Sequence, residues 1–152
     1  NSGFNLRPTD ISASIGLNQF KDLDKFIKQR SINRERIFNF FNRSKKLIKN
    51  LTFINANKNV KASWFGIPII LSKKINRKIF LKKIENSGVE TRPIISGNFL
   101  KQPSIKKYKL NRNLKLKNSD VINNHGFFIG LPTNSITNKK IKKLVDIFEK
   151  NI

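Results

Sequence analysis

The sequence contains no cysteine and a single histidine, His125. Disulfides, thiolate metal ligands and cysteine nucleophiles are therefore excluded, and one imidazole cannot build a zinc-type ligand cluster. No metal site is expected. Any chemistry must use oxygen, amine or guanidinium groups, or a bound organic cofactor.

Long hydrophobic runs are missing too. Runs such as WFGIPIIL stop far short of the roughly 20 residues that a helix needs to cross a bilayer. A signal peptide, with its charged region followed by an apolar one, is absent, and the chain does not start with methionine. We therefore expect the middle of a longer protein that is soluble and cytoplasmic and has no membrane partner.

Acidic residues are scarce: 9 Asp and Glu stand against 32 Lys and Arg, for a formal net charge of +23. Such a balance is typical of proteins that bind nucleic acid or anionic membranes. The lysines, however, are spread over almost every segment, and the similarly abundant Asn and Ile share their A- and T-rich codons. A genome of low G+C content explains the charge without a polyanionic partner, so no nucleic acid is expected. A basic nucleic-acid-binding module is kept as the alternative function.

Helical spacing dominates the first fifty residues. The segment PTDISASIGLNQF predicts a helix that begins near Pro8 or Thr9, with Asp10 at the positive end of the helix dipole. A second, much longer helix follows, which we expect to act as an arm or spine. Its apolar residues form one broad stripe: Leu23, Phe26, Ile27, Ile37, Phe38, Phe41, Leu47 and Ile48. Residues 1–50 are assigned to the end of a large domain and this connecting helix.

From Leu51 onward the pattern changes to short strands alternating with amphipathic helices. Strands are predicted in LTFINANKN, KASWFGIPIILS, VETRPII and GFFIGLP. Within the second, Gly66-Ile67-Pro68 predicts an edge strand or a bulge. Helices are predicted in NRKIFLKKIENSG, KNSDVINNHG and NKKIKKLVDIFEKN. Residues 51–152 are therefore predicted to form a small α/β domain, a mainly antiparallel sheet covered by helices.

Two polar segments depart from the pattern of lysine on solvated faces. In GFNLR, Asn5 and Arg7 lie just before a predicted helix N-terminus, where amide, guanidinium and backbone N–H groups can bind an anion. The ordinary alternative is a cap and turn. In ETRPIISGN, a strand delivers Arg92 and then a turn with Ser96 and Asn98, whose donors can bind phosphate and sugar hydroxyl groups. Here the ordinary alternative is a solvated arginine and a tight turn.

Taken together, four stretches resemble the DegT/DnrJ/EryC1/StrS family of pyridoxal-phosphate-dependent nucleotide-sugar aminotransferases. They are GFNLRPTDISASIGLNQFKDLDKFIKQR, SWFGIPI, GVETRPIISGNFLKQP and NHGFFIG, in collinear order over nearly the whole chain. Residues 3–20 match that family's G-[FY]-N-x-R motif, followed by a helix rich in small residues that ends in Q-F. The stretch RPIISGNFLKQP lacks the family's commoner Pro-x-His pattern. It is more similar to the subgroup of 4-keto-6-deoxyhexose 3-dehydrases and perosamine-type synthases.

The resemblance implies the small C-terminal domain of a fold-type I pyridoxal-phosphate enzyme. Such an enzyme works as a homodimer on a nucleotide-linked 4-keto-6-deoxyhexose in surface polysaccharide (O-antigen) biosynthesis, by transamination or by 3-dehydration. The resemblance implies that Asn5 binds the pyridoxal 5′-phosphate of the neighbouring subunit, and that substrate is contacted by Arg7, Arg92, Ser96 and Asn98. The family's Schiff-base lysine lies upstream of these motifs, so no catalytic residue is assigned and the 152 residues alone are expected to be inactive.

Overall fold

The computed structural model describes residues 9–60, 62–107 and 114–152. In chain order the elements are helices α1 (Asp10–Phe20), α2 (Leu23–Phe41) and α3 (Lys45–Asn50), strands β1 (Leu51–Phe53) and β2 (Gly66–Leu71), helix α4 (Arg77–Asn86), strand β3 (Thr91–Arg92), helix α5 (Lys117–His125), strand β4 (Gly126–Gly130) and helix α6 (Asn138–Asn151). Two short 3₁₀ turns, Phe99–Lys101 and Pro103–Lys107, lie between β3 and α5.

The strands form a four-stranded sheet in the order β1-β2-β4-β3. All neighbouring pairs are antiparallel, with Leu51 opposite Leu71 between β1 and β2, and Ile69 opposite Phe127 between β2 and β4. The predicted small antiparallel sheet is therefore confirmed. Its strand VETRPII is shorter than expected, because β3 is limited to Thr91–Arg92.

The position of β2 in this sheet differs from the prediction. The predicted edge strand or bulge at Gly66-Ile67-Pro68 is wrong for β2 as a whole, because β2 is a central strand: it pairs with β4 over residues 66–70 and with β1 over residues 69–71. Pro68 has no N–H to donate. Its carbonyl oxygen accepts from the N–H of Ile54 at 3.2 Å, just beyond the end of β1. The backbone N and O atoms of one strand residue point toward the same neighbouring strand. The N–H that Pro68 lacks would therefore point toward β1, at the end of that strand.

The hydrophobic core lies between one face of the sheet and the helices. Alternate residues of β2 and β4 point into it, as the period of two in a strand requires: Ile67, Ile69, Leu71, Phe127 and Ile129. The helices contribute Ile37, Phe41, Leu47, Phe80, Ile84, Ile141 and Phe148. The ring of Phe148 is edge-on to Phe41 and Phe80, with centroids 5.1 and 5.5 Å away, a favoured aromatic geometry.

The long helix predicted to continue to Ile48 is in fact two helices. α2 ends at Phe41, and Ser44 begins α3 by accepting from the N–H of Leu47 at 3.2 Å. A serine at this position satisfies a backbone donor that has no partner inside the helix. The spacing of the apolar residues does not indicate the interruption between α2 and α3, because Phe41 and Leu47 are both buried in the same core.

The first fifty residues divide between buried and exposed parts. None of the residues of α1 is buried, and its large apolar side chains are exposed, Ile11 to 76% and Leu17 to 70%. The C-terminal end of α2, in contrast, packs in the core through Ile37 and Phe41. The domain boundary predicted at residue 50 stays a prediction.

Candidate functional site

The predicted site residues have different surroundings in the structure. Asn5 and Arg7 lie outside the described residues. Arg92 ends β3, while Ser96 and Asn98 follow in the loop that leads to the first 3₁₀ turn. Ser96 lines a cavity, Arg92 pairs with a carboxylate, and Asn98 is buried. The three residues therefore lie on one segment of the chain, but they do not line one common pocket.

Arg92 is engaged by Glu90, the residue that precedes β3. Its Nε and Nη2 both donate to Oε1 of Glu90, at 3.0 and 2.6 Å, and the two side chains are 67% and 76% exposed. An ion pair this exposed contributes little to stability, because water screens it. A ligand phosphate would therefore have to compete with Glu90 for part of this guanidinium.

Asn98 is 3% exposed and turns inward. Its Nδ2 donates to Oδ1 of Asp120 at 2.8 Å, and its Oδ1 accepts from the N–H of Leu100 at 3.0 Å. Lys101 also contacts Oδ1 of Asp120, at 2.6 Å. The hydrogen bond from Lys101, followed by that from Asn98, lowers the pKa of Asp120. In this geometry Asn98 fastens the loop to α5, and its contact with substrate stays a prediction.

Gly97 permits the close approach of this loop to α5. Its φ is +66°, in the left-handed region that glycine adopts without penalty. A Cβ on this residue would lie 2.6 Å from Oδ1 of Asn123. The same Oδ1 accepts from the backbone N–H of Asn98 at 3.3 Å. The turn at Ser96 is thereby held against α5.

The cavity beside this turn has a volume of about 260 Å³, and its lining combines the apolar Pro93, Ile94 and Ile95 with polar side chains. Its lining also includes Ser96 and Gly97, together with Arg77, Gln102 and Asn123. Nε2 of Gln102 donates to the carbonyl oxygen of Ser96 at 2.8 Å. We call this space the polar cavity. It offers guanidinium, amide and hydroxyl groups that can bind phosphate or sugar oxygens.

Sequence reasoning missed Arg77, Gln102 and Asn123. Arg77 is the first residue of α4, after the cap Asn76, and its Nη1 donates to the carbonyl oxygen of Gly126 at 2.5 Å. The stretch RPIISGNFLKQP contains Gln102, but its pattern assigns no role to this residue. Nothing local marks Arg77, because the start of β4 and the turn at Ser96 reach it only through the fold.

A second cavity, of about 520 Å³, adjoins the polar cavity and shares Ile94 and Ile95 with it. Its walls are mostly apolar, with Trp64, Phe65 and Phe128 as the large side chains. The rings of Phe65 and Phe128 meet edge-on, 5.3 Å apart. We call this space the apolar cavity. It lies on the side of the sheet opposite the core, since Phe128 alternates with the buried Phe127 and Ile129.

The Trp64 wall of the apolar cavity is fixed by Arg34 of α2. The guanidinium lies over the indole ring, 4.4 Å from its centroid, a cation–π contact. Nη2 of Arg34 also donates to the carbonyl oxygen of Ile54 and to Oδ1 of Asn55, at 2.9 and 2.8 Å. Burial lowers the pKa of Arg34, and Glu35 opposes that shift.

A wider groove, of about 660 Å³, lies between α2, α6 and the end of β4. Ile136, Leu144 and Ile147 are among its lining residues, whereas Arg92, Ser96 and Asn98 are not. The larger volume of this groove does not by itself make it the functional site. The polar side chains of the predicted site segment line the polar cavity instead. In the described ranges, no three His, Asp or Glu side chains form a metal site, and no helix is long and apolar enough to span a bilayer.

Known proteins are similar to this sequence. The model of the DegT/DnrJ/EryC1/StrS aminotransferase family matches residues 1–149. The GDP-4-keto-6-deoxy-D-mannose 3-dehydratase of Yersinia pseudotuberculosis is 34% identical over 152 residues, which cover 97% of this chain and 37% of that protein. The lipopolysaccharide biosynthesis protein RfbH of Salmonella typhimurium is 30% identical over 150 residues, with 97% and 33% covered.

Solved structures share the fold. The Escherichia coli GDP-4-keto-6-deoxy-D-mannose-3-dehydratase with bound hydrated PLP matches with a TM-score of 0.80 at 29% identity. The match covers 96% of this chain and 36% of that one. The expected fold, part of a fold-type I pyridoxal-phosphate enzyme, is thereby confirmed. The chain spans about a third of the length of the relatives it matches.

Proposed function

The chain belongs to the DegT/DnrJ/EryC1/StrS aminotransferase family, and on that basis we propose that it is the C-terminal part of a pyridoxal-phosphate-dependent enzyme acting on a nucleotide-linked 4-keto-6-deoxyhexose. The match of the family model to residues 1–149 is the observation that carries this proposal. The names of the relatives support 3-dehydration in the synthesis of surface polysaccharide, and the name of the family supports transamination. We propose that the full-length enzyme is a cytoplasmic homodimer.

For the cofactor phosphate, the family resemblance points to residues that precede α1. The N-terminus of α1 is already complemented, because Thr9 accepts from the N–H of Ser12 at 3.4 Å and Asp10 adds a negative charge in the first turn. By the family resemblance, Asn5 would bind the cofactor phosphate of the neighbouring subunit, and Arg7 would contact substrate. Pyridoxal 5′-phosphate, when bound, supplies an electron sink for a carbanion on the substrate.

On the substrate side, Ser96 is the predicted residue with the strongest structural support, because it lines the polar cavity. Arg92 would bind a phosphate through the part of its guanidinium that Glu90 does not occupy. Asn98 holds the loop on which Ser96 lies through its bond to Asp120.

The domain division is also a proposal. Residues 1–50 would end the large domain and connect to the small domain of residues 51–152. The exposed apolar side chains of α1, including Ile11, Leu17 and Phe20, support a contact with another part of the full-length protein.

The test uses the purified full-length protein with pyridoxal 5′-phosphate, glutamate and GDP-4-keto-6-deoxymannose. Mass spectrometry separates the two reactions, because transamination places an amino group at C4 whereas 3-dehydration removes the hydroxyl at C3. A lysine at the cofactor-linked position of the upstream sequence favours transamination, and a histidine there favours 3-dehydration. Unchanged sugar nucleotide together with no cofactor absorbance would contradict the proposal.

A further inference from the structure

One side of α5 contacts the loop that carries Ser96. We call residues 93–102 the site loop. Asp120 and Asn123 are three residues apart on α5, which places them on the same side of the helix. Gly126 follows after three more residues, at the start of β4. Each of these three residues contacts the site loop, so α5 and the start of β4 together provide the surface against which the loop lies.

The contact at Asp120 lies deepest in the protein. Its Oδ1 accepts from Nδ2 of Asn98 at 2.8 Å and lies 2.6 Å from Nζ of Lys101. Asn98 is 3% exposed, so water cannot replace Asp120 as the acceptor for its amide. Asp120 itself lines neither the polar nor the apolar cavity. Its influence on a ligand in the polar cavity must therefore act through the site loop.

The other two contacts are close approaches at glycines. At Gly97, a Cβ would lie 2.6 Å from Oδ1 of Asn123, the atom that also accepts from the N–H of Asn98. At Gly126, a Cβ would lie 3.0 Å from Cδ1 of Ile94. Larger residues at either glycine would push the loop away. The site loop therefore packs directly on α5 and the start of β4.

The site loop is also closed on itself. Nε2 of Gln102 donates to the carbonyl oxygen of Ser96 at 2.8 Å, and Oδ1 of Asn98 accepts from the N–H of Leu100 at 3.0 Å. These internal bonds fix the shape of the turn, whereas the contacts with α5 fix its position on the domain. Ser96 is therefore held beside the polar cavity before any ligand binds, which lowers the entropic cost of binding.

We propose that Asp120 is a positioning residue, which binds Asn98 and Lys101 and so keeps Ser96 in place for the substrate. The inference rests on the proposed function, in which Ser96 contacts the sugar nucleotide, and adds a residue outside the cavity on which that contact depends. Without Asp120, the substrate itself would have to order the loop, and part of its binding free energy would be lost. The loss falls on binding, so it raises KM and leaves kcat nearly unchanged.

The test measures turnover of GDP-4-keto-6-deoxymannose by the full-length protein with pyridoxal 5′-phosphate and glutamate. Asp120→Ala should raise KM about fivefold or more and change kcat less than about twofold. Asp120→Asn keeps an oxygen that can accept from Asn98 and Lys101, so it should recover most of the native KM. If Asp120→Ala does not fold, Asp120→Ser replaces it, because its shorter side chain withdraws the acceptor from Asn98.

Asp146→Ala is the matched control. It removes an exposed carboxylate from α6 that lines neither cavity, and it should keep the native KM. Equal KM values in Asp120→Ala and Asp146→Ala would overturn the proposal. A change confined to thermal stability would also overturn it, because a merely structural role lowers the folded fraction without altering the KM of the folded enzyme.

A double variant separates positioning from direct contact with substrate. Asn98→Ala removes the amide that links Asp120 to the site loop. If Asp120 acts through Asn98, the variant that carries both Asp120→Ala and Asn98→Ala should have about the same KM as Asp120→Ala alone. Two effects on KM that multiply would show that Asn98 acts on substrate independently of Asp120, and the proposal would be refuted.

Hydrogen exchange provides a measurement that needs no turnover. The N–H groups of Asn98 and Leu100 are both bonded in this arrangement, so residues 93–102 should exchange faster in Asp120→Ala than in Asp146→Ala. Faster exchange with a native KM overturns the positioning role and leaves the proposed function standing. An unmodified protein without turnover refutes the proposed function, and exchange then decides the inference: a rate equal to that of the control overturns it, and a faster rate supports it.

Discussion

Asn33 of α2 holds Asn134 of the loop between β4 and α6, with its Nδ2 2.8 Å from the carbonyl oxygen of that residue. The same Nδ2 donates to the carbonyl oxygen of Pro132 at 3.0 Å, and Oδ1 accepts from the N–H of Ile136 at 3.3 Å. Asn33 itself is fully buried. One side chain therefore satisfies three backbone groups of a loop that lies a hundred residues away in sequence.

Replacing Asn33 by alanine should lower the free energy of unfolding by about 2–3 kcal/mol, because buried carbonyl and N–H groups lose their partner. Urea denaturation followed by circular dichroism measures the change. Asn39→Ala, at an exposed position of the same helix, is the control and should change stability by less than about 0.5 kcal/mol. Equal losses in the two variants would contradict the role of Asn33.

Gly97→Ala should destabilise the protein more than Gly88→Ala does. Both glycines have positive φ, +66° and +87°, so both substitutions cost roughly 1–2 kcal/mol in backbone conformation. A Cβ at Gly97 also lies 3.1 Å from Cα of Asn123, whereas nothing lies within 4 Å at Gly88. Thermal unfolding of the two variants gives the comparison, and equal melting temperatures would refute the close packing of the turn on α5.

The carboxylate of Asp120 should make stability depend on pH in the acid range. Contacts with Lys101 and Asn98 lower its pKa in the folded state. Its contribution is therefore complete above the unfolded pKa of about 3.9 and is lost as the pH falls through the folded value. The difference in unfolding free energy between the native protein and Asp120→Asn should shrink as the pH falls from about 5 toward 2.

Asp146→Asn, at an exposed position of α6, controls for the loss of one negative charge from a basic protein. A difference for Asp120→Asn that stays constant over this range would show that its contacts do not favour the ionised form.

The large positive charge should not produce tight binding to nucleic acid. Lysines lie on α3, α4 and α6 alike, so the charge is spread over several helices and is not concentrated on one of them. Filter binding to duplex DNA at physiological salt should therefore show weak association. Tight binding that falls steeply with added salt would favour the nucleic-acid alternative.

Asn5→Ala should weaken the retention of pyridoxal 5′-phosphate in the full-length dimer by about 1.5–3 kcal/mol, the value typical of a lost hydrogen bond to a charged group. Cofactor absorbance on dilution measures the effect. Asn18→Ala, an exposed asparagine of α1, provides the control. Retention that matches the control would remove Asn5 from the cofactor site and leave it as a cap residue.

The sequence predicted well where the signal is local. The helix of residues 138–151 follows from apolar residues at helical spacing, and its buried Ile141 and Phe148 confirm the pattern. The break before α3 was missed, because the spacing from Phe41 to Leu47 continues the apolar stripe across it. Pro68 indicated an edge strand because proline cannot donate a backbone hydrogen bond within a sheet. The sequence near Pro68 does not show where the neighbouring strand β1 ends.

For the candidate site, the motif around Ser96 pointed to the correct loop but not to the partners of its side chains. The sequence predicted that Asn98 is a hydrogen-bond donor at the surface. In the structure it donates to Asp120, which lies 22 residues later in the chain. Arg77 carried no signal at all, because its proximity to Gly126 depends on the packing of α4 against β4.

The sequence by itself determined the kinds of element and the family, because periodicity, caps and motifs are properties of neighbouring residues. Only the tertiary structure decided the order of the strands, the inward turn of Asn98 and the meeting of Arg77 with the loop of Ser96. The physical reason is that these contacts join residues far apart along the chain. Their strength depends on burial and on competing partners, and both exist only once the chain has folded.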